Sequence, residues 1–162
     1  MSIDDRLTEL SIELPSPMDT KHLPFQLAKI DGTTMYLAGH VPTDQNGAVA
    51  KPLGKVGGEI SPEDAYKIAR QSALGLLATI KETLGALDRV DSWLHLFGMV
   101  NVAPGFNAIP PVINGASDLI LEVFGPVIGA HTRSAVGMAE LPFGVPVELE
   151  AKIKTSSKLR TS

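Results

Sequence analysis

Apolar residues recur at helical spacing in two stretches of the chain, and each stretch predicts a long amphipathic helix. The first helix is predicted over residues 62–84, between a capping box formed by Ser61 and Asp64 and a terminating Gly85. The second is predicted over residues 111–124. The apolar positions are Ala65, Ile68, Ala69, Ala73, Leu76 and Ile80 in the first helix, and Val112, Ala116, Leu119, Ile120 and Val123 in the second.

Alternating or continuous apolar positions predict five strands around these helices. The strands are placed at residues 25–30, 33–38, 89–103, 132–140 and 146–153. Asp31-Gly32 is a hairpin signal between the first two. The third strand has a near-continuous apolar run around Trp93, which predicts burial on both of its faces. The last strand alternates strictly, so that Glu148 and Glu150 lie on one face and apolar residues on the other.

The order β-β-α-β-α-β-β predicts an α/β (α+β) fold, a mixed sheet with both long helices on one face. No segment remains to cover the opposite face, so self-association is the expected cover. We expect a single domain over residues 1–162. Residues 1–22 are predicted to form a short helix, over 1–10, and a lead-in, residues 42–58 a surface loop, and residues 155–162 a flexible tail.

Composition and charge argue against several classes of function. The chain has no cysteine, and its four histidines lack ligand spacing, so neither a disulfide framework nor a metal site is predicted. The acidic N-terminus and the absence of a run of about 18 apolar residues predict a cytoplasmic protein without membrane association. The net charge of −4 argues against nucleic-acid binding. The basic residues near the C-terminus are interpreted as solvating: Lys152, Lys154, Lys158 and Arg160.

Four segments carry a recognisable pattern. They read HTRSAV at 131–136, AELP at 139–142, VELEA at 147–151 and LAGHVP at 37–42. With Asn114 at the start of the second helix, they resemble the YjgF-like family of reactive-intermediate (imine and enamine) deaminases, over residues 23–154. The longer loop and N-terminal helix resemble a less studied branch of that family.

The resemblance implies a chorismate-mutase-like fold and a homotrimer with a ligand cleft between subunits. It also implies cofactor-independent hydrolysis of small 2-imino or enamino carboxylates. Two alternatives remain. In the first alternative, the same trimer binds a small carboxylate but catalyses no reaction. In the second, the protein is a ribonuclease or translation inhibitor, a label attached to the family; the acidic net charge of this chain argues against that role.

Arg133 is the first candidate for catalysis, because it lies on a strand face shared with Ala135 and a guanidinium suits bidentate carboxylate binding. The resemblance assigns it the substrate carboxylate; the alternative is an ion pair across the subunit interface. Glu148 matches the family glutamate that holds the hydrolytic water, and the alternative is a solvated strand residue. Gly39 either allows the backbone to come close to the ligand or is an ordinary turn residue. Asn114 either binds the ligand or caps its helix.

The sequence departs from the family pattern at four candidate ligand-binding positions. Phe25 stands where a tyrosine is frequent and Ala38 where a serine is frequent, so two hydroxyl groups are lost. His40 replaces a glutamine, and His131 replaces a proline two residues before the arginine. The two imidazoles either replace the lost polar contacts and transfer protons, or are exposed loop residues.

Overall fold

The computed structural model describes residues 1–156, and within them the chain forms three α-helices and a five-stranded mixed sheet. The helices are Ile3–Glu9 (α1), Pro62–Leu84 (α2) and Ile109–Ile128 (α3). The strands are Ala28–Asp31 (β1), Thr34–His40 (β2), Val90–Asn101 (β3), Thr132–Met138 (β4) and Val147–Thr155 (β5). The sheet order is β1-β2-β5-β3-β4, in which β3 and β4 run parallel and the other neighbours are antiparallel. The predicted element order and mixed sheet are confirmed.

Local signals set the ends of α2 where they were predicted. The Oγ of Ser61 accepts a hydrogen bond from the backbone N–H of Asp64 at 3.1 Å, which satisfies one of the free donors of the first turn. The side chain of Asp64 contacts Lys67 (3.4 Å), so only half of the expected capping box forms. Gly85 ends the helix in the left-handed region at φ 81°, where a residue without a Cβ is favoured.

Helix α3 is interrupted at Gly125, directly after its predicted end at residue 124. Gly125 adopts φ 74° and ψ 174°, which is not helical, so Ile109–Ile128 consists of two helical stretches joined by a kink. The helix is long and apolar enough to cross a membrane by length and composition alone, contrary to the sequence-based expectation. Its predicted apolar stripe is buried, and α3 packs on α2 and on the sheet as a core helix. The residues of that stripe are Val112, Ala116, Leu119, Ile120 and Val123.

Helices α2 and α3 cover one face of the sheet, as predicted. The strand residues that point toward them are buried, because alternation on β5 directs every second side chain inward. These residues include Leu37, Leu96, Val147, Leu149, Ala151 and Ile153. Helix α1 joins the same core through Leu7, and its Arg6 donates from Nε to the carbonyl oxygen of Glu122 on α3 at 3.0 Å. The N-terminal helix therefore packs on its own chain.

The opposite face is partly covered by the chain itself, which corrects the expectation that no segment was left for it. Val41, Leu141 and Val145 pack over Met99 and form a second, smaller core. The predicted surface loop contributes here, because Thr43 and Val49 form a β-bridge and residues 41–43 are buried. The remainder of this face, which we call the open face, carries a concavity of about 530 Å³. Its polar lining includes Gln26, Lys29, Tyr36, His95, Glu150 and Lys152.

The prediction that β3 is buried on both faces is wrong for its first half. Leu94 is 39% exposed, and His95 lines the open face, where its Nδ1 lies 2.9 Å from the Oγ1 of Thr132. An apolar run in the sequence does not show whether a strand face is buried within its own chain or exposed on the surface of that chain. The predicted flexible tail begins too early, because Thr155 is a buried residue of β5. Lys158 and Arg160 lie outside the described residues.

Candidate functional site

Arg133 lies on the second position of β4 and points toward α3, where two side chains hold its guanidinium. Its Nη1 donates to the Oδ1 of Asn114 at 2.8 Å and to the Oγ of Ser117 at 3.1 Å. Its Nη2 approaches the carbonyl oxygen of Pro110 at 3.4 Å. Both Nη1 hydrogens are thus occupied, whereas Nε–H and one Nη2–H have no hydrogen-bond partner among residues 1–156. That free edge has the geometry for bidentate binding of a carboxylate.

Asn114 is an orienting residue in this structure and not a helix cap. The helix begins at Ile109 with Ala108 at its cap position, so Asn114 lies more than a turn inside α3. It shares a helix face with Ser117, because residues three apart are neighbours on a helix. Sequence reasoning missed Ser117. The signal available was its i,i+3 spacing from a residue already suspected of facing the arginine.

His131 is tied to the same cluster through Ser117. Its Nε2 lies 3.0 Å from the Oγ of Ser117, and its Nδ1 lies 2.7 Å from the carbonyl oxygen of Gly129. His131 and Arg133 line one surface depression of about 340 Å³, together with the apolar Leu121. The predicted His131 is therefore neither a free loop residue nor isolated from the arginine. We call Asn114, Ser117, His131 and Arg133 the arginine cluster.

Glu148 lies on the open face, half-buried beside β2. Burial, and to a lesser degree the neighbouring charge of Glu150, raises the pKa of the Glu148 carboxyl above its usual value. Gly39 makes this position possible, since a Cβ at Gly39 would lie 2.0 Å from the Oε1 of Glu148. A carboxylate with a raised pKa is a stronger base than an ordinary one, as the activation of water requires.

Arg133 and Glu148 lie on opposite faces of the sheet. Arg133 pairs with Leu96 on β3, which points toward the helices, whereas Glu148 pairs with Met99, three residues further along the same strand. An odd spacing along a strand reverses the face. Within one chain, therefore, the carboxylate of Glu148 does not lie beside the guanidinium of Arg133. The two groups act on one ligand only if two chains meet.

The other predicted residues divide between the two faces. Ala135 lies on the face of Arg133 and packs against the main core. Phe25 is 52% exposed, and Ala38 lines the concavity of the open face. His40 is buried, with Nδ1 2.7 Å from the carbonyl oxygen of Ala38 and Nε2 2.8 Å from the Oγ1 of Thr79 on α2.

His40 is therefore a buried link between the sheet and α2, and the second of its two interpretations, an exposed loop residue, is wrong. Burial lowers the pKa of its imidazole, so the neutral form is favoured in the folded protein. Among residues 1–156, no group of three histidine, aspartate or glutamate side chains is arranged to hold a metal ion.

Replacement of Gly39 by alanine is expected to displace the Glu148 carboxylate without unfolding the protein. The new methyl group would meet the flexible end of a side chain, so the stability change should stay within about 1 kcal/mol. A carboxylate pushed toward solvent loses part of its desolvation, and its raised pKa should fall. Because the ionised form is the base, the acid limb of any Glu148-dependent activity should then move to lower pH. An unchanged rate and an unchanged limb would contradict this role for Gly39.

Comparison with known proteins places these residues in a family. The sequence profile described as "YjgF/chorismate mutase-like, putative endoribonuclease" matches residues 4–145. Protein TCP17 of Trypanosoma cruzi is 35% identical over 153 residues, which are 93% of this chain and 92% of that protein.

Solved structures agree in fold. Protein Atu1372 of Agrobacterium tumefaciens, described as having unknown function, is 35% identical, with a TM-score of 0.86 over 95% of this chain and 92% of that one. A "putative endoribonuclease" of Shewanella oneidensis is 25% identical, with a TM-score of 0.88 over 95% and 99%. Escherichia coli TdcF with bound serine shares the fold alone, at 17% identity and a TM-score of 0.59 over 88% and 94%. The chain therefore belongs to the YjgF/chorismate-mutase-like family.

Proposed function

We propose that the protein is a cofactor-independent hydrolase that deaminates small 2-imino or enamino carboxylates, at sites shared between the subunits of a homotrimer. The observation that carries this proposal is the guanidinium of Arg133. Asn114 and Ser117 hold it by Nη1, and its Nε/Nη2 edge is left for a carboxylate. A guanidinium pinned in this way loses little conformational entropy when it binds an anion.

Glu148 supplies the second half of the chemistry. Its carboxylate takes a proton from a water molecule as the water oxygen forms a bond to the C=N carbon of the imine. The protonated Glu148 gives this proton to the imine nitrogen, which completes a carbinolamine. Glu148 then carries the hydroxyl proton of the carbinolamine to its amino nitrogen, the C–N bond breaks as the C=O bond forms, and a 2-keto acid and ammonia leave. The raised pKa of Glu148 suits both directions of this proton transfer.

The placement of the two groups supports an oligomeric site. A contact that brings the helix-side edge of β4 from one chain to the open face of the next is heterologous, and heterologous contacts form a ring when the rotation between subunits closes. Such a contact would unite Arg133 of one subunit with Glu148 of its neighbour. It would also cover the concavity beside Phe97 and Tyr36. The family resemblance favours a ring of three.

The serine held by TdcF supports a small carboxylate as the ligand class, because serine carries an α-carboxylate on a short skeleton. Phe25 and Ala38 cannot supply the hydroxyl groups that many relatives place near the ligand. The remainder of the substrate is therefore expected to be recognised by shape more than by hydrogen bonds. This difference favours imines with short apolar side chains.

Ammonia release from a panel of 2-imino acids, generated in situ by an amino-acid oxidase, tests the proposal. Wild type should accelerate release, and Arg133→Ala should reduce kcat/KM by about 30-fold or more, since a charged partner of the substrate carboxylate is lost. Arg70→Ala is a matched control, because this arginine pairs with Glu122 on the outer surface of the helices, at 2.6 Å.

Lack of acceleration with every imine would refute the hydrolase. Tight binding of simple 2-keto acids without turnover would then favour the alternative, a carboxylate-binding trimer. Equal activity of Arg133→Ala and wild type would refute the role of Arg133 as the residue that binds the substrate carboxylate.

A further inference from the structure

We propose that His131 is a positioning residue for Arg133, acting through the hydroxyl group of Ser117, and that its protonation tightens the binding of carboxylates. The inference rests on the proposed role of Arg133 as the carboxylate anchor, and it does not require turnover. His131 is not proposed to touch the substrate. It fixes the hydroxyl group of Ser117, which in turn holds the guanidinium of Arg133.

The hydrogen bonds of His131 allow one arrangement of protons in the neutral ring. The carbonyl oxygen of Gly129 can only accept, so Nδ1, 2.7 Å away, carries the hydrogen. Nε2 then has a free lone pair and accepts the hydroxyl hydrogen of Ser117, 3.0 Å away. With its hydrogen directed to the ring, the Oγ of Ser117 turns a lone pair to Nη1 of Arg133, at 3.1 Å. The chain of donors therefore runs from Arg133 through Ser117 to His131.

Protonation of His131 changes this arrangement. Nε2 then donates to the Oγ of Ser117, which accepts from the imidazolium and the guanidinium at once and turns its own hydrogen elsewhere. Two positive charges now share one hydroxyl group, and both border the depression of about 340 Å³. A carboxylate in contact with Arg133 relieves their repulsion. Anion and proton therefore bind cooperatively, and by linkage each increases the affinity for the other.

The charged groups on the elements around His131 are otherwise engaged. On α3, Asp118 accepts a hydrogen bond from Tyr66 at 2.7 Å, and Glu122 pairs with Arg70 at 2.6 Å, both toward α2. On β3, His95 lines the open face of the sheet. Among residues 1–156, Arg133 is the charged group that shares the depression with His131.

The chain contains its own reporter for this coupling. Trp93 is the one tryptophan of the sequence, and its ring centroid lies 6.5 Å from that of His131. A protonated imidazole quenches indole fluorescence more strongly than a neutral one. We therefore expect the emission of Trp93 to report a change in the charge of His131.

Calorimetric titration with pyruvate, a small 2-keto carboxylate, provides the test. We expect wild-type affinity to rise about 3- to 10-fold from about pH 8 to about pH 6, because proton uptake and anion binding favour each other when the two sites are coupled. His131→Leu should bind more weakly at every pH. His131→Gln offers a neutral amide oxygen to Ser117, so it should recover most of the lost affinity at high pH but without the rise at low pH.

In parallel, pyruvate should shift the fluorescence titration of Trp93 to higher pH in wild type and leave no titration to shift in His131→Gln. A rise in affinity at low pH that persists in His131→Gln would overturn the inference while leaving Arg133 as anchor. Equal binding by Arg133→Ala and wild type would overturn the anchor itself, and with it both proposals. Wild type that binds pyruvate with this pH dependence but hydrolyses no imine would refute only the proposed reaction.

Discussion

In the proposed homotrimer, equal amounts of Arg133→Ala and Glu148→Gln subunits should together regain the proposed imine hydrolase activity, although each variant alone should keep only a few per cent of it. A shared site is intact when one subunit supplies the arginine and its neighbour supplies the glutamate. With random assortment in a closed ring, about one quarter of the sites satisfy both conditions. We therefore expect about one quarter of wild-type activity.

The size of this effect follows from the positions of the two residues. Arg133 and Glu148 point to opposite faces of the sheet. In the proposed shared site they come from different subunits, so a neighbour can supply the residue that one chain lacks. Loss of a general base alone typically lowers a rate by about 100-fold or more, so the parental background is low. Recovery from that background to a quarter of full activity is a large signal.

Co-expression of the two chains at equal levels, with all assembled trimers assayed together, supplies the material. A matched control pairs Arg133→Ala with the double variant carrying both substitutions, because no site in that mixture has an intact arginine. If the mixed trimers were as inactive as their parents, each chain would contain its whole site, contrary to the proposal.

Gly115→Ala should destabilise the protein by about 3 kcal/mol or more, as forced overpacking of a core does at its upper end. A Cβ on Gly115 would lie 2.0 Å from the backbone oxygen of Tyr66 and 3.3 Å from the backbone nitrogen of Arg70. These atoms belong to the backbone of α2, which has no rotamer to change. Relief therefore requires α2 and α3 to separate, with loss of packing along both.

Gly75→Ala is the matched control, since it makes the same change inside α2 with the opposite expected result. The nearest atom to its added Cβ is the Oγ1 of Thr43 at 3.7 Å, an ordinary contact. Alanine is favoured over glycine in a helix by about 0.5–1 kcal/mol, so this variant should be slightly stabilised. Urea unfolding of both variants measures the difference. Equal effects would show that helix propensity, and not the approach of the two backbones, decides the outcome at Gly115.

Sequence patterns predict best where the determining interactions are local. Helix α2 begins at Pro62 and ends at Leu84 as predicted, because Ser61 and Gly85 act within one turn of the positions they determine. The alternation in β5 correctly predicts which of its residues are buried. The identity of Arg133 as a ligand candidate also came from the sequence, through its resemblance to a family.

What the sequence could not predict depends on pairing between distant segments. The opposite orientation of Arg133 and Glu148 follows from the register of β3 with both β4 and β5, which no single strand contains. The burial of His40 requires Thr79, 39 residues away, as its partner. The role of Ser117 appears only once β4 lies beside α3.

The order of strands in the sheet also determines when the chain can fold during its synthesis. The strand that is made last, β5, lies at the centre, between β2 and β3. Until β5 has left the ribosome, the β1–β2 hairpin and the β3–β4 pair are therefore not joined into one sheet, and β2 and β3 each have an unpaired edge. For most of translation the nascent chain exposes apolar strand edges that later become the middle of the sheet, the kind of surface on which chaperones act and from which aggregation begins.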